Sequence, residues 1–338
     1  MRISWIDNAK AIAMILIVIG HTKISSDLFS LYANGYKLPI FFFIAGFLFK
    51  SKYINDGIFI YIKRQFKLTM VPYLTFWVIS YIYWLPTNIF KNSQGLPVKS
   101  AIYEPFIGLL YGINTSIPSN VALWFFPCIF VTMVMFCLVY KYIDKLPWLT
   151  FSIIMTVGLS VAYFYNKPQI RLPWNIDIAF VALIFYSLGF ILRNKMIINK
   201  ILFNSRIYNV AVSAVLLIIV GELNKLNGPI QMVGHFYGNP LLFLIFSIVG
   251  IVAIIYLSEA IPKNIVSEWI SKNTIFIFPL HQLIFSVFTG IGVIIFNLPY
   301  GFKEHLIYII LYVAGSIFMC IPISFIFRKY APALIGAR

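Results

Sequence analysis

The stretch Lys10 to His21, KAIAMILIVIGH, places a basic residue and an imidazole at the two ends of an apolar run. At about 100° per residue the interval makes close to three helical turns, so on an α-helix both side chains share one face, about 16 Å apart along the axis. A second imidazole, His281, lies in the run from Asn273 to Phe302, which holds no other His, Lys, Arg or acidic residue. Imidazole exchanges protons near neutral pH, so it can act as a base toward a hydroxyl and then as an acid toward a leaving group. Polar groups inside apolar runs are costly, and this makes His21 and His281 the leading candidates for chemistry. Each ring also has a plainer reading, a hydrogen bond to a neighbouring helix. Lys10 has one too, because a lysine near a helix end can extend its ammonium to the lipid head groups.

Other side chains carry weaker signals. Arg64 and Lys67 stand three residues apart, share a helical face and suit a phosphate, or a solvated anchoring face. Trp124 and Phe125 offer aromatic faces that stack on a sugar ring, although aromatics at a membrane interface need no ligand. Asn175 and Asp177 open an apolar segment, where an acid orients a histidine, binds a hydroxyl or caps a helix. Glu222 has the same readings. Pro279, two residues before His281, removes a helical N–H and leaves a carbonyl free beside the ring.

The elements that must position these groups are transmembrane. The chain of 338 residues is 61% hydrophobic and only 11% charged, more apolar side chain than a water-soluble core of that size hides. Charge-free runs extend from Leu68 to Phe90, Pro105 to Tyr140 and Leu146 to Asn166, each long enough for a helix of about 20 residues through about 30 Å of hydrocarbon. A transmembrane barrel would instead alternate polarity in segments of about ten residues. The expected fold is therefore all-α, a polytopic transmembrane helical bundle forming a single domain over residues 1–338. Ten spans are expected, near 8–26, 36–50, 68–87, 121–140, 147–165, 172–192, 207–222, 240–258, 273–297 and 306–327.

The formal charge of +16 reflects basic residues gathered in short connections, Lys50, Lys52, Lys63, Arg64 and Lys67 in one and Arg193, Lys195, Lys200 and Arg206 in another. That distribution points to topology rather than to nucleic acid, with both termini cytoplasmic by the positive-inside tendency. Cys128, Cys137 and Cys320 lie in apolar runs without ligand spacing and read as fillers. The first run, with no small-residue cleavage site after it, reads as a retained helix. Residues 51–67 read as an interfacial helix against acidic lipid heads. Residues 88–120 form the longest non-helical connection, on the outer side.

Taken together, the motifs resemble the acyltransferase 3 family of bacterial integral-membrane proteins. WIDNAKAIAMILIVIGH resembles its opening helix, a basic residue followed after ten others by histidine. LPIFFFIAGFLF is similar to its second helix, and KRQFKLTMVPY to its paired-basic motif, with lysine standing where arginine is more usual at both basic motifs. ALWFFPCIF resembles its Leu-Trp-Phe segment, and LPWNIDIAFVALIFYSLGFIL the sixth span of the branch that includes fucose O-acetylases. SKNTIFIFPLHQLIF resembles its late histidine-bearing helix.

The resemblance implies a membrane-bound O-acyltransferase of the bacterial cytoplasmic (inner) membrane. Its activity would be transfer of acetyl from cytoplasmic acetyl-CoA, with no metal, to a hydroxyl of a surface glycan or lipid-linked sugar. It implies His21 and His281 as catalytic, Lys10, Arg64 and Lys67 at the donor, and Trp124, Asn175 and Asp177 at the acceptor. It also implies transfer completed without an appended soluble domain. The rival reading is a multi-span transporter or flippase, against which stands the placement of histidines rather than carboxylates at mid-membrane. The sequence leaves open the sugar, the hydroxyl, the acyl group, the choice between direct transfer and an acyl-histidine, and whether the chain forms a homo-oligomer.

Overall fold

The computed structural model describes residues 3–22, 27–93, 101–166, 170–228 and 230–336. In chain order the α-helices are α1 (Ser4–Ile19), α2 (Asp27–Ala33), α3 (Pro39–Phe47), α4 (Lys52–Asn55), α5 (Ile58–Ser93), α6 (Glu104–Tyr111) and α7 (Phe125–Lys145). They continue with α8 (Pro147–Phe164), α9 (Ile176–Asn194), α10 (Ile197–Ile201), α11 (Arg206–Asn227), α12 (Pro240–Ala260), α13 (Ile265–Ile294) and α14 (Leu306–Tyr330). No β-strand occurs among the described residues; a lone antiparallel bridge joins Gln231 to Phe236.

Every expected span coincides with a helix, but only eight helices among the described residues are long and apolar enough to cross a membrane: α5, α7, α8, α9, α11, α12, α13 and α14. The other two are short for a physical reason. In α1, of 16 residues, the apolar run stops at Gly20, and the Thr22 hydroxyl donates to the Ile19 carbonyl at 2.7 Å in the turn that ends the helix. His21 therefore lies in the turn just past α1 rather than within it. In α3, of nine residues, Pro39 fixes the start, and a helix of about 14 Å falls short of the hydrocarbon thickness. Nearly all of α3 is buried, as a short apolar helix enclosed by protein should be.

Two other expectations change. Residues 58–67 are not a separate interfacial helix but the first turns of α5, whose 36 residues span about 54 Å and outreach the bilayer. The connection 88–120 is largely ordered: α5 runs to Ser93, α6 follows, and residues 94–100 lie outside the described residues. Tyr73 and Trp77 of α5 donate to the carbonyls of Leu109 and Pro105, fixing α6 against that helix.

The core forms around α1, α3 and α9, with α8, α11 and α14 outside. Ile207, Phe164 and Phe318 on those outer helices are 79%, 80% and 66% exposed, as side chains solvated by lipid should be. Glycines let α3 and α9 approach as closely as backbones allow. A Cβ on Gly46 would overlap the Tyr186 carbonyl, and one on Gly189 would overlap the Phe43 carbonyl. The two contacts are related by antiparallel register. Gly189→Val is expected to separate α3 from α9 and to lower the melting temperature of the detergent-purified protein by several degrees, or to abolish its folding, whereas Gly290→Ala, where a Cβ meets nothing, leaves the midpoint unchanged. Equal midpoints for the two variants would contradict this packing.

Candidate active site

The site depends on the pairing of α1 with α13. Asn8 of α1 donates to the carbonyls of Ser258 and Ile261 at 2.9 Å each and accepts from the Ser267 hydroxyl at 2.5 Å. Asp7 accepts from Ser271 at 2.7 Å, and Lys10 donates to the Ser271 carbonyl at 3.1 Å. Three turns further on, the Gln282 side-chain amide lies 2.9 Å from Nδ1 of His21. Lys10 to Ser271 and His21 to Gln282 both span 261 residues, so the helices run parallel with no slip of register. The polar face anticipated on α1 is the face it turns to α13.

His281 is fully buried at the middle of α13, its ring centroid 5.0 Å from that of His21. Its Nδ1 lies 3.1 Å from the Ile277 carbonyl, which can only accept, so Nδ1 carries the proton and Nε2 holds the lone pair. That Nε2 is buried with no hydrogen-bond partner. The proline two residues earlier is also fixed, because the Pro279 carbonyl accepts from Asn120 at 2.6 Å, and Asn120 donates as well to Ser80 at 3.0 Å.

His21 is exposed, to a cavity of about 910 Å³ at the end of the bundle away from the termini. Thr87, Asn88, Asn120, Gln282, Ser286 and Thr289 give its wall hydroxyls and amides, and Tyr83, Trp84 and Tyr312 give aromatic surface. Convergent hydrogen-bonding groups beside aromatic faces suit a polyhydroxylated ring. Lys37 brings a positive charge close by, since a Cβ on Gly20 would overlap its ammonium. At the opposite end of the α1–α13 pair a second cavity, of about 730 Å³, is lined by Lys10, Lys50, Arg193, Lys272 and Arg328. Ile3 and Ile335 border the same cavity, so the first and last described segments meet at this basic end.

The remaining sequence candidates fall elsewhere. Arg64 and Lys67 are exposed on the projecting turns of α5 and line neither cavity. Trp124 is 4% exposed, and Asn175 and Asp177 are fully buried outside the 910 Å³ cavity. Asn175 donates to the carbonyls of Gly112 and Trp124 at 2.8 and 3.2 Å, while Arg171 donates to Asp177 at 2.9 Å and to Asn175 at 3.1 Å. His235 brings Nε2 to 3.1 Å from the same Asp177 oxygen, off the line of a good hydrogen bond. Burial in this loop pushes the His235 imidazole below its ordinary pKa even though the Asp177 carboxylate opposes the shift. Asp177 thus meets a histidine, but one that no sequence signal connects to it. Glu222 is exposed and paired with Lys225 and the Tyr32 hydroxyl.

Sequence reasoning missed Gln282, Asn120, Lys37, Arg171 and His235 as site or scaffold residues. Gln282 and Lys37 had a usable signal, each being a polar interruption beside a long apolar run. Arg171 and His235 had none, because they meet across 64 positions through irregular loops. Among the described residues no three His, Cys, Asp or Glu side chains converge as a metal site, and Cys128, Cys137 and Cys320 are buried free thiols.

The long apolar helices and the buried polar pairing of α1 with α13 define a multi-pass membrane protein with an imidazole open to a cavity. Residues 3–328 match the model of the acyltransferase 3 family, described as an acyltransferase domain, and the chain belongs to that family. Membership makes it an acyltransferase, acting on a hydroxyl group. No curated protein and no solved structure matches the chain.

Gln282 is a positioning residue on this geometry, since its amide serves Nδ1 of His21 as donor or, turned over, as acceptor. Gln282→Leu is expected to slow acyl transfer on the order of 10- to 100-fold with little change in KM. Gln282→Glu should keep the ring oriented and raise its basicity, moving the acid limb of the pH–rate profile to higher pH. An unmoved limb would remove the assignment. Asp177→Asn leaves the Arg171 guanidinium without its buried counter-charge, so it should cost about 3–5 kcal/mol of stability. The acceptor KM of the folded fraction should stay at the wild-type value, and a raised KM would place Asp177 at the acceptor after all.

Proposed function

We propose that this chain transfers an acetyl group from acetyl-CoA, on the cytoplasmic side of a bacterial inner membrane, to a hydroxyl of a cell-envelope glycan or lipid-linked sugar. The observation that carries this reading is the His21 ring, open to a 910 Å³ polar and aromatic cavity and 5.0 Å from His281. The end of the bundle bearing Lys10, Lys50, Arg193 and Arg328 is the cytoplasmic one by the positive-inside tendency, so the donor enters there and the acceptor occupies the cavity at the other end.

In direct transfer, Nε2 of His21 takes the hydroxyl proton as the sugar oxygen attacks the thioester carbonyl. The C–S bond then breaks, and the imidazolium returns the proton to the departing thiolate. In the two-step route Nε2 attacks first and the thiolate leaves, taking up a proton from water; the sugar hydroxyl oxygen then displaces the imidazole from the acetyl group, and its proton passes through the freed imidazole to water. Both routes need Nε2 unprotonated, which requires the Gln282 amide, whose nitrogen here faces Nδ1, to turn so that its carbonyl accepts from Nδ1–H. The Lys37 ammonium, beside Gly20, is a charge near the ring that can steady a developing oxyanion. His281 packs against the reacting ring and fixes its plane. Arg64 and Lys67, on the projecting turns of α5, add to the field that draws an anionic donor to this end. Trp124, Asn175 and Asp177 act on the acceptor through the loop they hold rather than by contact.

Purified protein incubated with radiolabelled acetyl-CoA and a lipid-linked or free glycan is expected to label the glycan. His21→Ala should reduce that rate about 10²- to 10⁴-fold, the usual contribution of a general base. Glycan movement across a proteoliposome membrane with no label transferred would overturn the proposal in favour of a carrier.

A further inference from the structure

One side chain joins three of the elements around the His21 cavity at the point where the backbone ladder of α13 is interrupted. Pro279 supplies no N–H, so the Ile275 carbonyl loses its helical donor and α13 can bend there. The carbonyls that follow are engaged by side chains: His281 Nδ1 donates to the Ile277 carbonyl at 3.1 Å, and Asn120 Nδ2 donates to the Pro279 carbonyl at 2.6 Å. Asn120 also donates to the Ser80 hydroxyl of α5 at 3.0 Å. Its Oδ1 accepts from the Ala122 N–H at 3.1 Å, in the turn that leads into α7. Ser80 sends its own proton to the Phe76 carbonyl at 2.6 Å, which leaves a lone pair for Asn120.

These partners decide which way the amide points. The Ala122 N–H can only donate and the Pro279 carbonyl can only accept, so the amide oxygen faces the first and the nitrogen the second. Both amide hydrogens are then in use, on a side chain only 3% exposed. A buried amide satisfied in this way holds its neighbours firmly, because displacing any of them leaves a polar atom unpaired in a low-dielectric interior. The neighbours here are α5, the loop entering α7 and α13, all of which line the cavity. His281 and Gln282, two and three residues past Pro279, are the side chains that meet His21. The helix carries any change of bend at Pro279 directly to both.

We infer that Asn120 is a positioning residue for acyl transfer: its hold on the Pro279 carbonyl and on Ser80 sets the bend of α13, and with it the placement of Gln282 and His281 against His21. Asn120 touches no reacting atom in this role, since both of its N–H groups are engaged. The role rests on the reading of His21 as the reacting group and adds the residue that keeps its two partners in place. Asn120→Ser separates positioning from capping. The serine hydroxyl can still accept from the Ala122 N–H, as N-cap serines do, but its shorter side chain does not reach the Pro279 carbonyl. Asn120→Leu, of similar size, removes every bond.

The test uses full-length protein in detergent, radiolabelled acetyl-CoA and the glycan that wild type labels. Asn120→Ser is expected to lower kcat on the order of 10-fold, as a small misplacement of reacting groups does. KM for acetyl-CoA and for the glycan should stay within about 3-fold of wild type, and the melting temperature within a few degrees. Asn120→Leu should lower kcat further in the same direction. In the Gln282→Leu background, Asn120→Ser should lower kcat by less than about 3-fold more, because a side chain that acts through the Gln282–His21 contact has little left to align. An unchanged kcat in both Asn120 variants, a rise in KM alone, or losses that multiply in the double variant overturns the positioning role; the reading of His21 still stands if His21→Ala is inactive. Full activity in His21→Ala overturns that reading and the positioning role with it. Loss of the melting transition in both Asn120 variants makes Asn120 a folding residue and also overturns the role.

Discussion

The whole arrangement depends on one constraint: a polar helix face cannot be left in hydrocarbon, so α1 must find partners for Asp7, Asn8 and Lys10 inside the protein. It finds them on α13 and at the end of α12, where Ser267, Ser271 and the Ser258 and Ile261 carbonyls take up each group. Those bonds at one end fix the rotation and the height of α1. The same register then delivers His21 to Gln282 and His281 at the other end, three turns away. Anchoring and chemistry are thus two ends of one pairing, and rotating α1 to move either would break both.

Around this pair the bundle gathers buried polar groups in separate sets. The Arg171, Asp177, Asn175 and His235 group holds loops together near the end of the bundle where His21 lies, with Asn175 reaching the carbonyls of Gly112 and Trp124. It fixes the segment from Gly112 to Trp124, and Asn120 within that segment reaches back to Pro279, just before His281. The loop that walls the cavity is therefore tied on one side to a buried ion pair and on the other to the helix that bears His281.

The two cavities differ in chemistry. The one open to His21 presents hydroxyls, amides and aromatic faces, whereas the one reached by Lys10 presents a cluster of cations. Neutral hydrogen-bonding surface recognises a sugar by direction, while concentrated charge recognises phosphates by field. The α1–α13 pair separates them, and α1 is shorter than a full span, so the distance from Lys10 to His21 is less than the bilayer thickness.

The sequence by itself determined the helical membrane class and the helices behind all ten expected spans, because long charge-free runs have few other stable forms in lipid. It also determined that Lys10 and His21 belong to one face and that His21 and His281 are the unusual groups, since ionisable side chains stand out in an apolar background. It extended the first helix too far, since Gly20 and Thr22 place His21 just beyond α1, and the second expected span holds a helix of only nine residues. Tertiary structure alone decided which face of α13 meets α1, and so paired Gln282 with His21. It alone brought Arg193, Lys272 and Arg328 to the recess that Lys10 lines, and set Asp177 against Arg171 and His235. Local pattern records the cost of placing a side chain in lipid, but which distant partner relieves that cost depends on helix rotation and loop path, and no short stretch of residues encodes either.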